Sequence, residues 1–291
     1  MSNKDIFFKV PETQATTPSG WYKYICEYYD VNQQQAIKLG TRAPGRKPSL
    51  PGSRTCESIS NKTHEDLWEM RDRSTPEGVF QFYIDQGAWS TFRQTVRHTD
   101  PHCRHVQSQI TNLAEMASGR KGDEINICEY GSGIAPYSRV VLENARVKNK
   151  LNMYFSDVDR SEHFLYSSWM LQKLVDEREI NAAVNPVPIK FNELPKYDRK
   201  MDLVVCFEVM EHVLSPVESL NNLMEQMNPG CFFAENFIKH DHDDDDDDGP
   251  DLASARSERR EYYNILNEKF VLMTSNPEHI YPNQTRVWAK K

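Results

Sequence analysis

The chain has 291 residues, 38% hydrophobic and 27% charged, with a formal net charge of −8, the profile of a globular protein rather than a disordered or fibrous one. That length holds one large domain, or a catalytic domain with an extension. No apolar run approaches the roughly 20 residues of a membrane span, and an acidic chain is a poor general binder of nucleic acid, whose affinity rests largely on neutralising phosphates.

The acid is unevenly spread: residues 1–124 carry 16 basic and 15 acidic residues, the remainder 19 and 28. The stretch MSNKDIFFKV lacks the long apolar core of a signal peptide, and the six cysteines form no C-x-x-C pair. A reduced, cytoplasmic compartment is therefore expected, and structural zinc is not. Cys128 and Cys206 fall inside apolar runs and are expected to pack in the core.

Residues 1–20 hold Pro11, Pro18 and Gly20 with little periodicity and read as an extended arm. Trp21 to Tyr29 follows as a short aromatic helix, with Ser19 as its candidate cap. No acid occurs between Asp30 and Glu57, where Lys38, Arg42, Arg46, Lys47 and Arg54 stand among Gly and Pro. This interval reads as a solvated loop, or as a lid that meets a phosphate or carboxylate of a substrate. Helical patterns cover 64–73, 76–86, 89–98 and 101–117, with Pro76 and Pro101 suited to first turns. Within the second, Val79, Phe80, Tyr83 and Ile84 form an apolar stripe, read as a core face.

A short buried strand, Ile125 to Cys128, then runs into Glu129-Tyr130-Gly131-Ser132-Gly133 and a helix from Tyr137 to Val147. Gly131 and Gly133 permit a sharp turn and let a ligand lie against bare main chain. Glu129 stands where the strand ends, the crevice in which open α/β sheets bind ligands. There is no third glycine for a G-x-G-x-x-G and no G-K-S/T follows, so a pyrophosphate fits poorly. An acid before the turn suits a ligand carrying hydroxyls and an amine.

Downstream, strands at 151–155, 187–191, 201–207 and 230–238 alternate with helices at 161–175, 215–227 and 253–269, and strands at 270–273 and 285–289 end the chain. Such alternation argues for a mostly parallel, doubly wound sheet. In its turn and in this order of elements, the sequence resembles the class I S-adenosylmethionine-dependent methyltransferases over roughly residues 105–291.

That resemblance implies an α/β, Rossmann-like, seven-stranded sheet ending in a hairpin with an antiparallel strand. It divides the chain into residues 1–120, an N-terminal helical cover over the substrate, and 121–291, the methyltransferase domain. It implies S-adenosylmethionine as cofactor and S-adenosylhomocysteine as product, held by Glu129, Gly131, Gly133, Asp157, Asn192, Phe207 and Glu208. Asp157 matches the family's ribose acid, with Asp159 the fallback. A carboxylate there can accept from both ribose hydroxyls, although either Asp can instead cap the next helix. Asn192 matches the position near the adenine amine, where the family more often has Asp.

Strand four runs into Glu208-Val209-Met210-Glu211-His212-Val213, which resembles the E-x-x-E-H segment of ubiquinone-type small-molecule O-methyltransferases. The same signature occurs in small-RNA 2′-O-methyltransferases, where both Glu and the His bind a divalent metal with a further His downstream. Three readings stay open. His212 is a general base for a hydroxyl, with Glu211 beside it; or Glu208, Glu211 and His212, sharing one helical face, bind a metal with His240 and His242; or Glu211 and His212 merely open a helix. The run Asp243 to Asp248 reads as solvated, as part of that metal site, or as a dock for a cationic substrate, and would repel an RNA backbone. The expected function is methyl transfer to a small-molecule oxygen or nitrogen, in small-molecule biosynthesis. Metal-dependent RNA or nucleotide 2′-O-methylation and a non-catalytic cofactor-binding scaffold are the alternatives.

Overall fold

Seven strands form one sheet: β1 (Glu124–Tyr130), β2 (Lys150–Val158), β3 (Ala182–Ile189), β4 (Met201–Cys206), β5 (Met227–Glu235), β6 (Phe270–Leu272) and β7 (Arg286–Lys290). Their order across the sheet is β3-β2-β1-β4-β5-β7-β6. All pairings from β3 to β5 are parallel, and β7 runs antiparallel to both β5 and β6. The doubly wound sheet with its closing hairpin is thus the one the sequence implies. The computed structural model describes residues 18–41, 67, 70–120, 122–237, 251–273 and 285–291.

The period of two along each strand sorts side chains to opposite faces. Ile125, Ile127, Leu203, Val205, Phe232 and Ala234 point into one core, with helices α1 (Pro18–Tyr29), α4 (Gly87–Arg97), α5 (Pro101–Ser118), α6 (Pro136–Asn144) and α7 (Glu162–Arg178) over them. Cys128, Val204, Cys206 and Phe233 point into the other, beneath α8 (Pro216–Glu225) and α9 (Ala253–Lys269). Cys128 and Cys206 are core residues, as expected. β4 is buried at all six positions, as a central strand covered on both faces requires, and its one charged residue, Asp202, accepts from Asn126 N (3.0 Å) and Asn228 Nδ2 (2.7 Å).

Four expectations need correcting. Residues 33–40 are not loop but helix α2 (Gln33–Gly40), started by a capping box in which Asn32 Oδ1 accepts from Gln35 N and Gln35 Oε1 from Asn32 N; the side chains, not an apolar period, specify it. The remaining basic residues of that interval, Arg42, Arg46, Lys47 and Arg54, lie outside the described residues, as do residues 1–17 of the arm and 64–66, 68 and 69 of the 64–73 pattern, whose end, 70–73, is turn rather than helix. Ser19 sits inside α1 rather than before it. β3 begins at Ala182 rather than Val187 and carries Pro186 and Pro188; as an edge strand it tolerates prolines that a central strand would reject.

Among the described residues no helix is long and apolar enough to cross a membrane.

Candidate functional site

The site is built where β1, β2 and β4 end. Glu129 closes β1 and is 3% exposed. Its carboxylate accepts from the amides of Ser138 (2.6 Å) and Tyr137 (3.3 Å) in the first turn of α6, where unpaired N–H groups favour an anion. Burial pushes Glu129 up to about 7, against the lowering effect of those amides. Its carboxylate therefore anchors α6 behind the glycine turn.

Gly131 and Gly133 both take left-handed backbone, φ 63° and 53°. A Cβ on Gly131 would stand 2.5 Å from the Val209 methyls, and one on Gly133 2.4 Å from Gln94 Oε1. Gln94, on α4, accepts from Ile134 N at 3.1 Å, so an N-terminal helix is stitched directly to the turn. Asp157 Oδ2 accepts from Gly133 N at 2.5 Å and Oδ1 from Val158 N at 2.7 Å. Burial, opposed by these two bonds, raises Asp157 to about 6. Asp159 faces outward instead, 3.7 Å from Arg160 Nε.

Of these residues Gly131 and Asp157 line a cavity of about 370 Å³, with Val158 beside them and Asn192 at its rim. Its far wall is Glu208, Val209 and His212. Its roof is helix α3 (Pro76–Asp85), through Val79, Phe80 and Tyr83. Of the stripe read from the sequence as a core face, Val79, Phe80 and Tyr83 line the cavity, while Val79 and Tyr83 also pack, half-buried, against the core that the neighbouring Phe82, 1% exposed, enters fully. Asn192 and Glu208 are both left-handed without being glycine, φ 56° and 57°, a local strain that collects at functional sites.

Glu208 is held open to this space. Its amide donates to Asn236 Oδ1 (2.7 Å), Asn236 Nδ2 donates to Glu208 Oε1 (2.6 Å), and Arg97 Nη2 donates to Oε2 (3.2 Å). Asn236 is itself set at the end of β5 beside Glu235, a fully buried carboxylate that accepts from Trp288 Nε1, Phe237 N and Tyr263 Oη at 2.9, 2.8 and 3.2 Å. Phe207 lies on the other side of the turn, its ring 4.9 Å from that of Tyr137. The Tyr137 ring continues to His98 (6.1 Å) and His98 to Trp21 (5.7 Å). Burial, then the Arg97 charge, lowers His98 to about 3, so it stays neutral.

Glu208, Glu211 and His212 do not share a helical face. After β4 the chain makes only a three-residue 3₁₀ turn, Met210–His212, with Glu208 outside it in left-handed backbone. His212 reaches the cavity, whereas Glu211 is 4% exposed, behind the wall, where Leu252 N donates to its carbonyl at 2.9 Å. Burial first, then Glu208, holds the Glu211 carboxyl well above the usual range. Among the described residues no three His, Cys, Asp or Glu side chains gather as metal ligands. His240, His242 and Asp243 to Asp248 lie outside the described residues.

Two contributors escaped the sequence reading: Gln94, whose amide oxygen fills the space Gly133 leaves, and Tyr83. The apolar stripe was the one signal for Tyr83, and nothing in its spacing tells a cavity roof from a core.

A bare glycine turn, a buried acid beside it, an apolar cavity roof and a polar rim residue fit a nucleoside bearing an amino-acid tail. The family model for a methyltransferase domain matches residues 102–265, more than half of the chain. The chain belongs to this methyltransferase family. It is a class I S-adenosylmethionine-dependent methyltransferase, an enzyme. No curated protein matches the sequence. Solved structures similar to the methyltransferase are the plantazolicin methyltransferase BpumL, solved with S-adenosylhomocysteine (11% identity, TM-score 0.46, covering 79% of this chain and 99% of that one), and the O-methyltransferase TomG from Streptomyces achromogenes, solved with S-adenosylmethionine (13%, 0.39, 62% and 78%). A third is the cyclase SpnF (16%, 0.32, 44% of this chain), of which the methyltransferase spans only 45%.

Proposed function

We propose that this methyltransferase methylates a hydroxyl of a small molecule, and that His212 takes the hydroxyl's proton. The observation that carries the reading is the position of His212, among the described residues the one imidazole on the wall of the cavity bounded by Gly131 and Asp157. Histidine is the side chain suited to accept a proton near neutral pH. Glu211, the second catalytic candidate, supports the turn from behind in this reading.

The nucleoside of the cofactor lies along Gly131, Asp157 and Asn192, with Glu129 and Phe207 shaping the turn and Glu208 facing its amino-acid end. When bound, the cofactor supplies a methyl on a good leaving group, so the chain's share is alignment, exclusion of water and removal of one proton. Residues 1–120 act as the cover over the acceptor, with Val79 and Phe80 as its apolar surface. A nitrogen acceptor is the runner-up, because a neutral amine needs no base before it attacks.

The test is His212→Ala, assayed with radiolabelled methyl donor against a panel of phenols, alcohols and amines. Methyl transfer to hydroxyls should fall by about 10²–10⁴-fold, while S-adenosylhomocysteine affinity stays within twofold of wild type. Undiminished transfer to a hydroxyl would remove His212 from the reaction. Losing activity on amines and alcohols alike would point to positioning rather than base catalysis.

A further inference from the structure

The polar tip of the cavity roof has no role in the reading above. Tyr83 lines the cavity together with Asp157, and α3 packs against β2, the strand that carries Asp157. Burial first, then the negative charges of Asp157 and Glu211, raises the Tyr83 phenol well above its ordinary range. The Asp157 charge therefore reaches the phenol, yet Tyr83 Oη donates to no described residue, and both oxygens of Asp157 accept only backbone amides. A phenol and a carboxylate thus line one cavity, and no hydrogen bond joins them.

α3 is fixed well enough to present that hydroxyl. Thr75 Oγ1 caps it, accepting from Gly78 N at 3.1 Å. Its last turn is tied down where Asp85 accepts from Arg71 Nε (2.9 Å) and Gln81 Nε2 (2.9 Å). Gly78 packs so closely on the Asp72 backbone that a Cβ there would stand 1.9 Å from the Asp72 carbonyl oxygen. Phe82 is sunk in the core with its ring 5.1 Å from that of Tyr83.

A ribose hydroxyl both donates and accepts, so it is satisfied by a carboxylate on one side and a phenol on the other. We infer that Tyr83 completes the ribose site from above, its hydroxyl donating to a ribose oxygen whose own proton is directed to Asp157. The N-terminal region then holds the cofactor as well as covering the acceptor, and cofactor binding fastens α3 onto the sheet. The inference rests on the assignment of the cavity to the nucleoside with Asp157 as its acid.

The experiment is calorimetric titration of the full chain with S-adenosylhomocysteine and with its 2′,3′-dideoxyribose analogue, for wild type, Tyr83→Phe and Asp157→Asn. Tyr83→Phe removes one oxygen and should leave the thermal midpoint close to wild type. It should weaken S-adenosylhomocysteine about 3- to 10-fold, the range of one neutral hydrogen bond, and leave the dideoxy analogue unaffected. In wild type, amide exchange across residues 76–85 should slow on saturation with S-adenosylhomocysteine. If Asp157→Asn weakens binding while Tyr83→Phe does not, the inference falls and the ribose reading survives. An equal loss for both ligands in Tyr83→Phe places the phenol elsewhere and also overturns it. Wild-type affinity in Asp157→Asn overturns the ribose reading, and the inference with it.

Discussion

Asp157 accepts from the Gly133 amide at 2.5 Å, which makes the carboxylate at the end of β2 and the glycine turn after β1 one unit. Glu129 repeats the pattern one strand over, bonding the amides that open α6. Two buried acids thus hold the main chain of the turn from opposite sides. Both are raised by burial, and the Asp157 charge raises Glu129 further.

The pairing has a signature in stability against pH. Glu129 titrates at 4.5 when unfolded and about 7 in the fold, and Asp157 moves from 3.8 to about 6. The fold therefore prefers their protonated forms. The stability this contributes is whole below the unfolded values and is lost as pH rises through about 6 and 7. His98, lowered from 6.5 to about 3, works the other way over part of that window, so the useful measurement is a difference. Urea unfolding of Glu129→Gln, which keeps an acceptor oxygen without the charge, should gain on wild type by roughly 2–3 kcal/mol between pH 4.5 and pH 8. A difference that does not change with pH would mean that Glu129 is ionised throughout.

The two glycines should differ in how replaceable they are. Alanine at either position meets a left-handed φ, a cost of about 1 kcal/mol or more. At Gly131 the new methyl also strikes the branched side chain of Val209 close to its backbone, whereas at Gly133 it strikes the end of the flexible Gln94 side chain. Gly131→Ala should therefore be the more damaging to both denaturant midpoint and S-adenosylhomocysteine affinity. Gly133→Ala should recover part of its loss when combined with Gln94→Ala. If that pair is simply additive, the contact with α4 is not what limits position 133.

How far the site was legible depends on what kind of signal each part leaves. β4, Met201–Cys206, is apolar but for Asp202, and α9 spans Ala253 to Lys269 as its pattern implies, because central strands and long helices carry their partners' demands in their own composition. The order of elements, with Gly131, Gly133 and Asp157 at strand ends, follows from the same periodicities. α2 was missed because Gln33-Gln34-Gln35 shows no apolar face and its start is written in two side-chain hydrogen bonds. The face shared by Glu208, Glu211 and His212 assumed an α-helix where the chain makes one tight turn. Tyr83 both packs against the core and lines the cavity, and its stripe announces only the first, because a roof over a cavity and a roof over a core have the same pattern. Only tertiary placement separates them.

Arg139 illustrates the same limit and gives the last prediction. It lies on α6, one turn past the glycine loop, and is 1% exposed. Its guanidinium donates to the carbonyls of Gly20 (2.6 Å) and Trp21 (3.4 Å) and to Glu143 Oε1 (3.3 Å), and lies 4.4 Å from the Trp21 ring centroid. No local pattern announces a buried arginine whose partners come from the start of the chain, yet it is what ties α1 to the helix that Glu129 anchors. Arg139→Met keeps the bulk and removes every donor, taking away the bonds to the Gly20 and Trp21 carbonyls and leaving Glu143 to Arg178, 3.6 Å away. It should destabilise the protein by about 3–5 kcal/mol, the cost of breaking a buried ion pair from one side. Tryptic cleavage at Lys23 and Lys38 should quicken before cleavage of the sheet region does. Adding Glu143→Gln should return part of the stability but not the protection of those lysines, because the bonds to Gly20 and Trp21 stay broken. If Arg139→Met leaves the protection of Lys23 and Lys38 unchanged, α1 is held by its aromatic packing against α7 instead.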